Sequence, residues 1–480
     1  MKYELVIGLE VHAELSTRTK IFCACSAQSY GAEPNTQICP LCCGMAGALP
    51  RLNRAVVEYA MRAGMMLSCR INRTTSFDRK SYFYPDLPSA YQITQATAPI
   101  AIDGGVEIET AAGKKTVRIK QIHMEEDAGK LVHDRREGFS HVDYNRAGVP
   151  LIEIVSEPDI RSGEEAQAYL ERLRTLLRYA RVSECEMAHG TMRCDVNLSV
   201  RPEGSTDFGV RTELKNMNSI AAIRRAIEYE ARRHIDAIER GDETLCSETR
   251  RWDEAQAVTQ PMRSKETAGD YRYAPEPNLM PVIIDDGWCA RVRASLPEFP
   301  EKKRERYVKE YGIGAYEAEI LARSIAVSEC FEDAFAVCKN AKEAANWIIS
   351  EVLALLNAEQ RSPDTLTLNG TRLGELILLV TDGTVGRANA KKILAVLLGD
   401  PTVDPRAYAT EHGFVICNDS GKIEAVVSRV LAENPRAVAD YKGGKEKALM
   451  SLYGACMKEL RGNCDPLLLR RMLSDAIGKI

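Results

Sequence analysis

No apolar run in this chain approaches the roughly 18 residues that a membrane span needs, which excludes an ordinary transmembrane helix. Glycine-rich phosphate loops are missing too. Neither G-x-x-x-x-G-K-[ST] nor G-x-G-x-x-G occurs, and Gly312-Ile313-Gly314 does not complete one. Positive charge is not in surplus: 64 Lys and Arg stand against 68 Asp and Glu, a net charge of −4. The molecule as a whole therefore exerts no long-range pull on a polyanion, and any nucleic-acid contact must use local patches. There is no low-complexity tract or regular repeat, which excludes a solenoid. The opening stretch MKYELVIGLE carries charges among its apolar residues and has no small-residue cleavage site, which points to the cytoplasm.

What is present is a long, well-mixed globular sequence. Its 480 residues exceed the about 250–300 at which single cores stop growing, so two or three domains are expected. Residues 1–295 alternate strand-like runs with two amphipathic helices and read as an α+β body built on an antiparallel sheet. Ser162 and Glu165 form a capping box ahead of a face made by Ala166, Tyr169, Leu170, Leu173, Leu176, Leu177 and Ala180. A second helix follows Ser219, with Ile220, Ile223, Ile227, Ala231, Ile235 and Ile238 at helical spacing and Gly241 as its stop. Both are expected to cover one side of the sheet. Residues 296–404 turn Ala- and Leu-rich and read as an all-α helical domain. Residues 405–480 hold 12 Lys and Arg against 9 Asp and Glu, a small, mildly basic α-helical tail domain.

Chemistry concentrates on four strand-like segments, because residues two apart on a strand face the same way. Glu10, His12 and Glu14 share the polar face of the first. In 117–127, His123 and Glu125 point together, and a bulge near Asp127 is needed to bring Glu126 round. Arg193, Asp195, Asn197, Ser199 and Arg201 share a face in the third, and Arg211, Glu213 and Lys215 in the fourth. One reading is the solvent face of an antiparallel sheet. The other is a hard-cation site, since carboxylates from several strands with flanking Arg and Lys suit magnesium and a phosphoryl group in flight. If ATP is used, a metal-bearing antiparallel sheet must hold it, an arrangement resembling that of glutamine synthetase.

Of 15 cysteines only the N-terminal ones form a pattern: Cys23, Cys25, Cys39 and Cys42, spaced C-x-C-x13-C-x2-C. Two close pairs joined by a loop suit tetrahedral zinc. Buried free thiols are the alternative, and Cys43 complicates the choice of fourth ligand. An odd cysteine count over a long chain argues against an oxidised framework.

Several long motifs carry a resemblance that covers essentially the whole chain. They include Ile7 to His12, Pro34 to Gln37, Asp78 to Pro88, His123 to Lys130, Asp143 to Leu151, Arg193-Cys194-Asp195, Glu213 to Asn216, Met262 to Glu266 and Asp270 to Tyr273. With these the sequence resembles the GatB family, the B subunits of the tRNA-dependent amidotransferases acting on Glu-tRNA(Gln) and Asp-tRNA(Asn). The resemblance implies a cradle-shaped kinase body, a helical domain and a tRNA-gripping tail. It implies that ATP phosphorylates the side-chain carboxylate of the mischarged Glu or Asp, and that ammonia from a partner amidase (glutaminase) displaces the phosphate, with a small third protein completing the complex. By resemblance, Glu10, His12, Glu125, Glu126, Asp195 and Glu213 hold Mg2+, Glu125 and Glu126 belong to the catalytic set, and Lys80 and Tyr82 line the channel or site; a packed aromatic turn is the alternative for that last segment. Arg193, Arg201 and Lys215 are phosphate partners by face and charge alone. Ala188-His189-Gly190 departs from the acids usual in the family before Arg-Cys-Asp. Two rivals stand beside this reading: a non-catalytic tRNA-binding scaffold and a small-molecule carboxylate-amine ligase.

Overall fold

In the computed structural model, residues 2–134, 138–262, 271–416, 420–460 and 464–479 are described. Residues 263–270, which hold most of the Met262 to Glu266 motif and Asp270, lie outside them. The chain forms two compact units, Met1–Phe299 and Pro300–Ile480.

The first unit is organised by a nine-stranded sheet. Tyr3–Glu14 runs through its middle, flanked by Pro150–Ser156 and Met192–Pro202, both antiparallel to it. Gly113–Glu126 and Ala101–Thr110 extend one side. Thr212–Lys215, Glu248–Asp253 and Val258–Pro261 extend the other. The expected antiparallel sheet is in fact mixed, because Thr212–Lys215 and Glu248–Asp253 pair in parallel. The helix Ile220–Arg240 lies between them in sequence and makes the crossover that parallel neighbours require.

Alternation decides the faces as the sequence suggests. Ile7, Leu9, Val11, Ile122, Ile152, Ile154, Val196 and Leu198 are buried on one side. Helices Arg54–Met66, Gly163–Tyr179 and Ile220–Arg240 pack against the sheet's strands. Ser162 Oγ accepts from the Glu165 amide, and Glu165 Oε2 reaches back to the Arg161 amide at 2.7 Å. In the second helix the buried stripe drifts from the expectation. Ile235 is half-buried and Ile238 exposed, while Glu230, His234 and Ala237 turn inward. A polar network explains the exchange: His234 Nε2 lies 2.8 Å from Thr212 Oγ1, and Thr259 Oγ1 donates to Glu230 Oε2 at 2.7 Å.

A small sheet of Asp78–Ser81, Tyr91–Thr94 and Ala274–Pro275 brings Thr94 against Gly113–Glu126. In the second unit one apolar core runs from Tyr307 to Ala409 and another from Ile423 to Ile477. The helix Pro405–Glu411 gives Ala409 to the former, so that core extends past the change in sequence texture at 405. The stretch 341–358 is helical with a π-turn at Ile348–Val352. No helix among the described residues is long and apolar enough to cross a membrane.

Candidate active site

The register of the central strands builds the site. His12 lies opposite Glu153 on one side and Arg193 on the other, and Glu153 lies opposite His123. One row therefore crosses four strands. His12 Nε2 is 3.1 Å from Glu153 Oε2 and 3.6 Å from Glu125 Oε1, while His123 Nε2 is 3.2 Å from Glu153 Oε1. Thr94 Oγ1 donates to Glu125 Oε2 at 3.2 Å. Burial alone would push the His12 imidazole down, but Glu153 and Glu125 override it and lift it to about 9. Burial likewise opposes ionisation of Glu153, yet the two imidazoles hold its carboxyl far below the usual range.

His12, Glu125 and Glu153 each offer a ligand atom within 4.8 Å of the others. Two carboxylates and an imidazole fit Mg2+ or Mn2+, which keep further positions for water and phosphate oxygens. Glu153 is absent from the sequence-derived set. Its signal was there: a single carboxylate in Pro150–Ser156, with Ile152 and Ile154 buried on either side of it.

Glu10, Asp195 and Glu213 form a second group. Lys215 Nζ bridges it, 2.5 Å from Asp195 Oδ2 and 2.9 Å from Glu213 Oε1. Thr249 Oγ1 donates to Glu213 Oε2 at 2.8 Å, and Asn197 to Glu10 Oε1 at 2.9 Å. Burial raises the Glu10 carboxyl, with Glu153, Asp195 and Glu213 adding to the effect. The acidic set is thus divided: one part holds an imidazole that must give up its proton to a cation, and one part already carries an ammonium.

The four cysteines also converge. Cys42 Sγ is 3.7 Å from both Cys23 Sγ and Cys39 Sγ, close to the roughly 3.8 Å edge of a tetrahedron with 2.3 Å zinc–sulfur bonds. All four lie within 4.8 Å of one another, so the donor set fits structural zinc, and Cys43 is outside it. The buried Lys20 ammonium donates to Cys42 Sγ at 3.3 Å and to the Gln37 carbonyl at 2.8 Å. Gly44 at φ +63° closes this knuckle onto the end of the Asp78 to Pro88 motif; a Cβ there would sit 2.4 Å from the Pro88 oxygen.

Residues 5–290 match the family model described as GatB/GatE catalytic domain, and 329–477 the one described as GatB domain. The chain belongs to the GatB family. The aspartyl/glutamyl-tRNA(Asn/Gln) amidotransferase B subunit of Caldicellulosiruptor saccharolyticus is 48% identical over 100% of both chains. Proteins of the same name from Lachnospira eligens and Carboxydothermus hydrogenoformans are 49% and 47% identical, over 99% and 100% of both chains.

The remaining residues, picked from the GatB resemblance or, for Arg193 and Arg201, from face and charge alone, divide by position. Lys80 Nζ lies 4.7 Å from the Tyr271 ring centre and 5.7 Å from that of Tyr82. Burial raises the Tyr82 hydroxyl, and the charge of Glu125 adds to this, so the aromatic group adjoins the open acidic cluster. Arg193 pairs with Asp127, and its buried Nε has no hydrogen-bond partner among the described residues. Glu126 is turned elsewhere. It accepts from the Ile93 amide at 2.9 Å and shares a small cavity with Cys23 and Cys42; burial lifts it to about 7. Arg201 is a correction: it donates to Glu4 Oε1 at 2.6 Å, six residues and about 20 Å along the strand from Asp195, too far to reach the same phosphate. His189, at this chain's departure from the GatB pattern, lies against Tyr30 with ring centres 4.5 Å apart.

Proposed function

We propose that this GatB chain is the kinase and transamidase component of a cytoplasmic tRNA-dependent amidotransferase, converting Glu-tRNA(Gln) and/or Asp-tRNA(Asn) to Gln-tRNA(Gln) and/or Asn-tRNA(Asn). The observation that carries the reading is the meeting of His12, Glu125 and Glu153 on the polar face of the sheet. Full-length relatives named as amidotransferase B subunits supply the substrate class.

A carboxylate is a poor electrophile. Transfer of the γ-phosphoryl group of ATP to the side-chain carboxylate forms an acyl phosphate, and attack by ammonia at its carbonyl carbon expels phosphate. His12, Glu125 and Glu153 would hold Mg2+, with Glu10, Asp195 and Glu213 extending the acidic surface on the same face of the sheet. When bound, the ion supplies positive charge to the phosphate oxygens. Lys215 and Arg193 contribute fixed cations on the same face, and Lys80 with Tyr82 forms a polar–aromatic wall beside Glu125. Ammonia comes from a partner amidase, in a heterotrimer completed by a small third protein. Cys23, Cys25, Cys39 and Cys42 hold structural zinc.

The test is to co-express the chain with its partners and follow amide formation dependent on ATP, glutamine and mischarged tRNA. Wild type should turn over, and Glu125→Gln should lose at least about 100-fold, since transition-state charge stabilisation of this kind is worth several kcal/mol. Full activity of Glu125→Gln, or turnover of free glutamate without tRNA, would refute the reading.

A further inference from the structure

Next to the His12 row lies a cavity of about 910 Å³, within the roughly 300–1,000 Å³ of small-ligand sites. Its walls come from the end of the central strand at Glu14, from the turn Met187–His189, and from the loop between the two cysteine pairs, which contributes Tyr30. That loop is firmly held. The Asn35 amide donates to Asp143 Oδ1 at 3.0 Å, its side chain to the Val142 carbonyl at 3.0 Å, and the Gln37 amide to Asn145 Oδ1 at 2.7 Å. Its two ends carry Cys25 and Cys39 of the four-thiol cluster.

Tyr30 is 72% exposed, yet its ring rests on that of His189 at 36° between planes. His189 is exposed as well, so packing into the core explains neither ring. Arg146 and Lys130 line the same cavity together with Asp143 and Glu184, and Arg146 is already paired with Asp127. Glu14 is two residues, about 7 Å along the strand, from His12. An aminoacyl ester of five or six bonds spans on the order of 7 Å. A side-chain carboxylate at His12 and Glu153 therefore leaves the esterified ribose within reach of this cavity, which begins at Glu14.

We propose that the cavity seats the 3′-terminal adenosine of the aminoacylated tRNA, its base laid on the Tyr30–His189 ring pair, and that the cysteine-anchored loop is a substrate wall. This rests on the tRNA-dependent reading above. Stacking on an aromatic ring is indifferent to the amino acid carried, so one platform serves both Glu and Asp esters.

The test measures binding of uncharged tRNA to the assembled complex, comparing intact tRNA with the same tRNA lacking its terminal adenosine. In wild type, removal of the adenosine should weaken binding about tenfold, in keeping with base–aromatic stacking. Tyr30→Ala should weaken intact tRNA by the same factor and become indifferent to the missing nucleotide, while Tyr30→Trp keeps the discrimination. His189→Ala should act in the same direction. Independent effects of the variant and the truncation would overturn the proposal, as would unchanged binding by Tyr30→Ala. Weakened assembly with the partner proteins, with tRNA-end discrimination intact, would also overturn it and make the cavity a protein contact. A wild-type complex that makes no amide on charged tRNA would instead sink the underlying functional reading.

Discussion

His12 and Glu153 face each other across adjacent antiparallel strands, 3.1 Å apart, although 141 residues separate them in sequence. Glu153 is shared, because its other oxygen meets His123 at 3.2 Å. Replacing Glu153 by Gln keeps the shape and removes the charge that holds both imidazoles. Amide formation should fall at least about 100-fold, and Mn2+ affinity of the complex about 10- to 100-fold, as for groups that orient or supply metal ligands. Mn2+ titration followed by its paramagnetic signal reads the second effect directly. An unaltered Mn2+ affinity would remove Glu153 from the ion site.

Thr249 holds Glu213 from the neighbouring parallel strand through a 2.8 Å hydrogen bond. Thr249→Val removes this donor while keeping the β-branched shape. Loss of one hydrogen bond to a charged group costs about 1.5–3 kcal/mol of stability, so Tm should fall, and KM for ATP should rise because Glu213 is no longer held in place. A lowered Tm with KM for ATP unchanged would assign Thr249 to the fold alone.

The cysteine cluster predicts about one zinc per chain in freshly reduced protein, and less than about a tenth of that in Cys39→Ser. Gly44→Ala tests its docking separately. Its φ of +63° and the backbone oxygen of Pro88 both oppose a Cβ, and left-handed strain alone costs about 1–3 kcal/mol. Thermal unfolding should drop while zinc content stays near one. Equal Tm values for variant and parent would show that the knuckle moves away without cost.

Glu230 gives the stability of the first unit an acid limb. Burial opposes its ionisation, but His234, Arg233 and Thr259 override this and hold it at about 2, below the usual 4.5. With the folded value depressed, its contribution is complete above about pH 4.5 and disappears as pH falls through about 2. Glu230→Gln should therefore narrow its stability difference from wild type between about pH 5 and about pH 2. Urea midpoints across that range measure it, and a constant difference would contradict the pairing.

Much of the site was legible. The apolar set Leu9 and Val11 against Glu10 and His12 told which side chains share a face, and the caps at Ser162 and Ser219 placed both helices. The burial of Glu230 and His234 in place of Ile235 and Ile238 was not legible, because their partners Thr212 and Thr259 come from two other strands.

What the sequence by itself determined is local: period-two alternation fixes the face of each strand, and cysteine spacing brings two groups of thiols to the ends of one loop, leaving the choice between Cys42 and Cys43 to the structure. Only the tertiary structure decided which acids gather. Register between strands depends on backbone pairing of segments far apart in the chain, and a shift by two residues would keep every face and dissolve every row. That pairing set Glu153 between two histidines, left Lys215 between Asp195 and Glu213, turned Glu126 toward Cys42, and carried Arg201 off to Glu4.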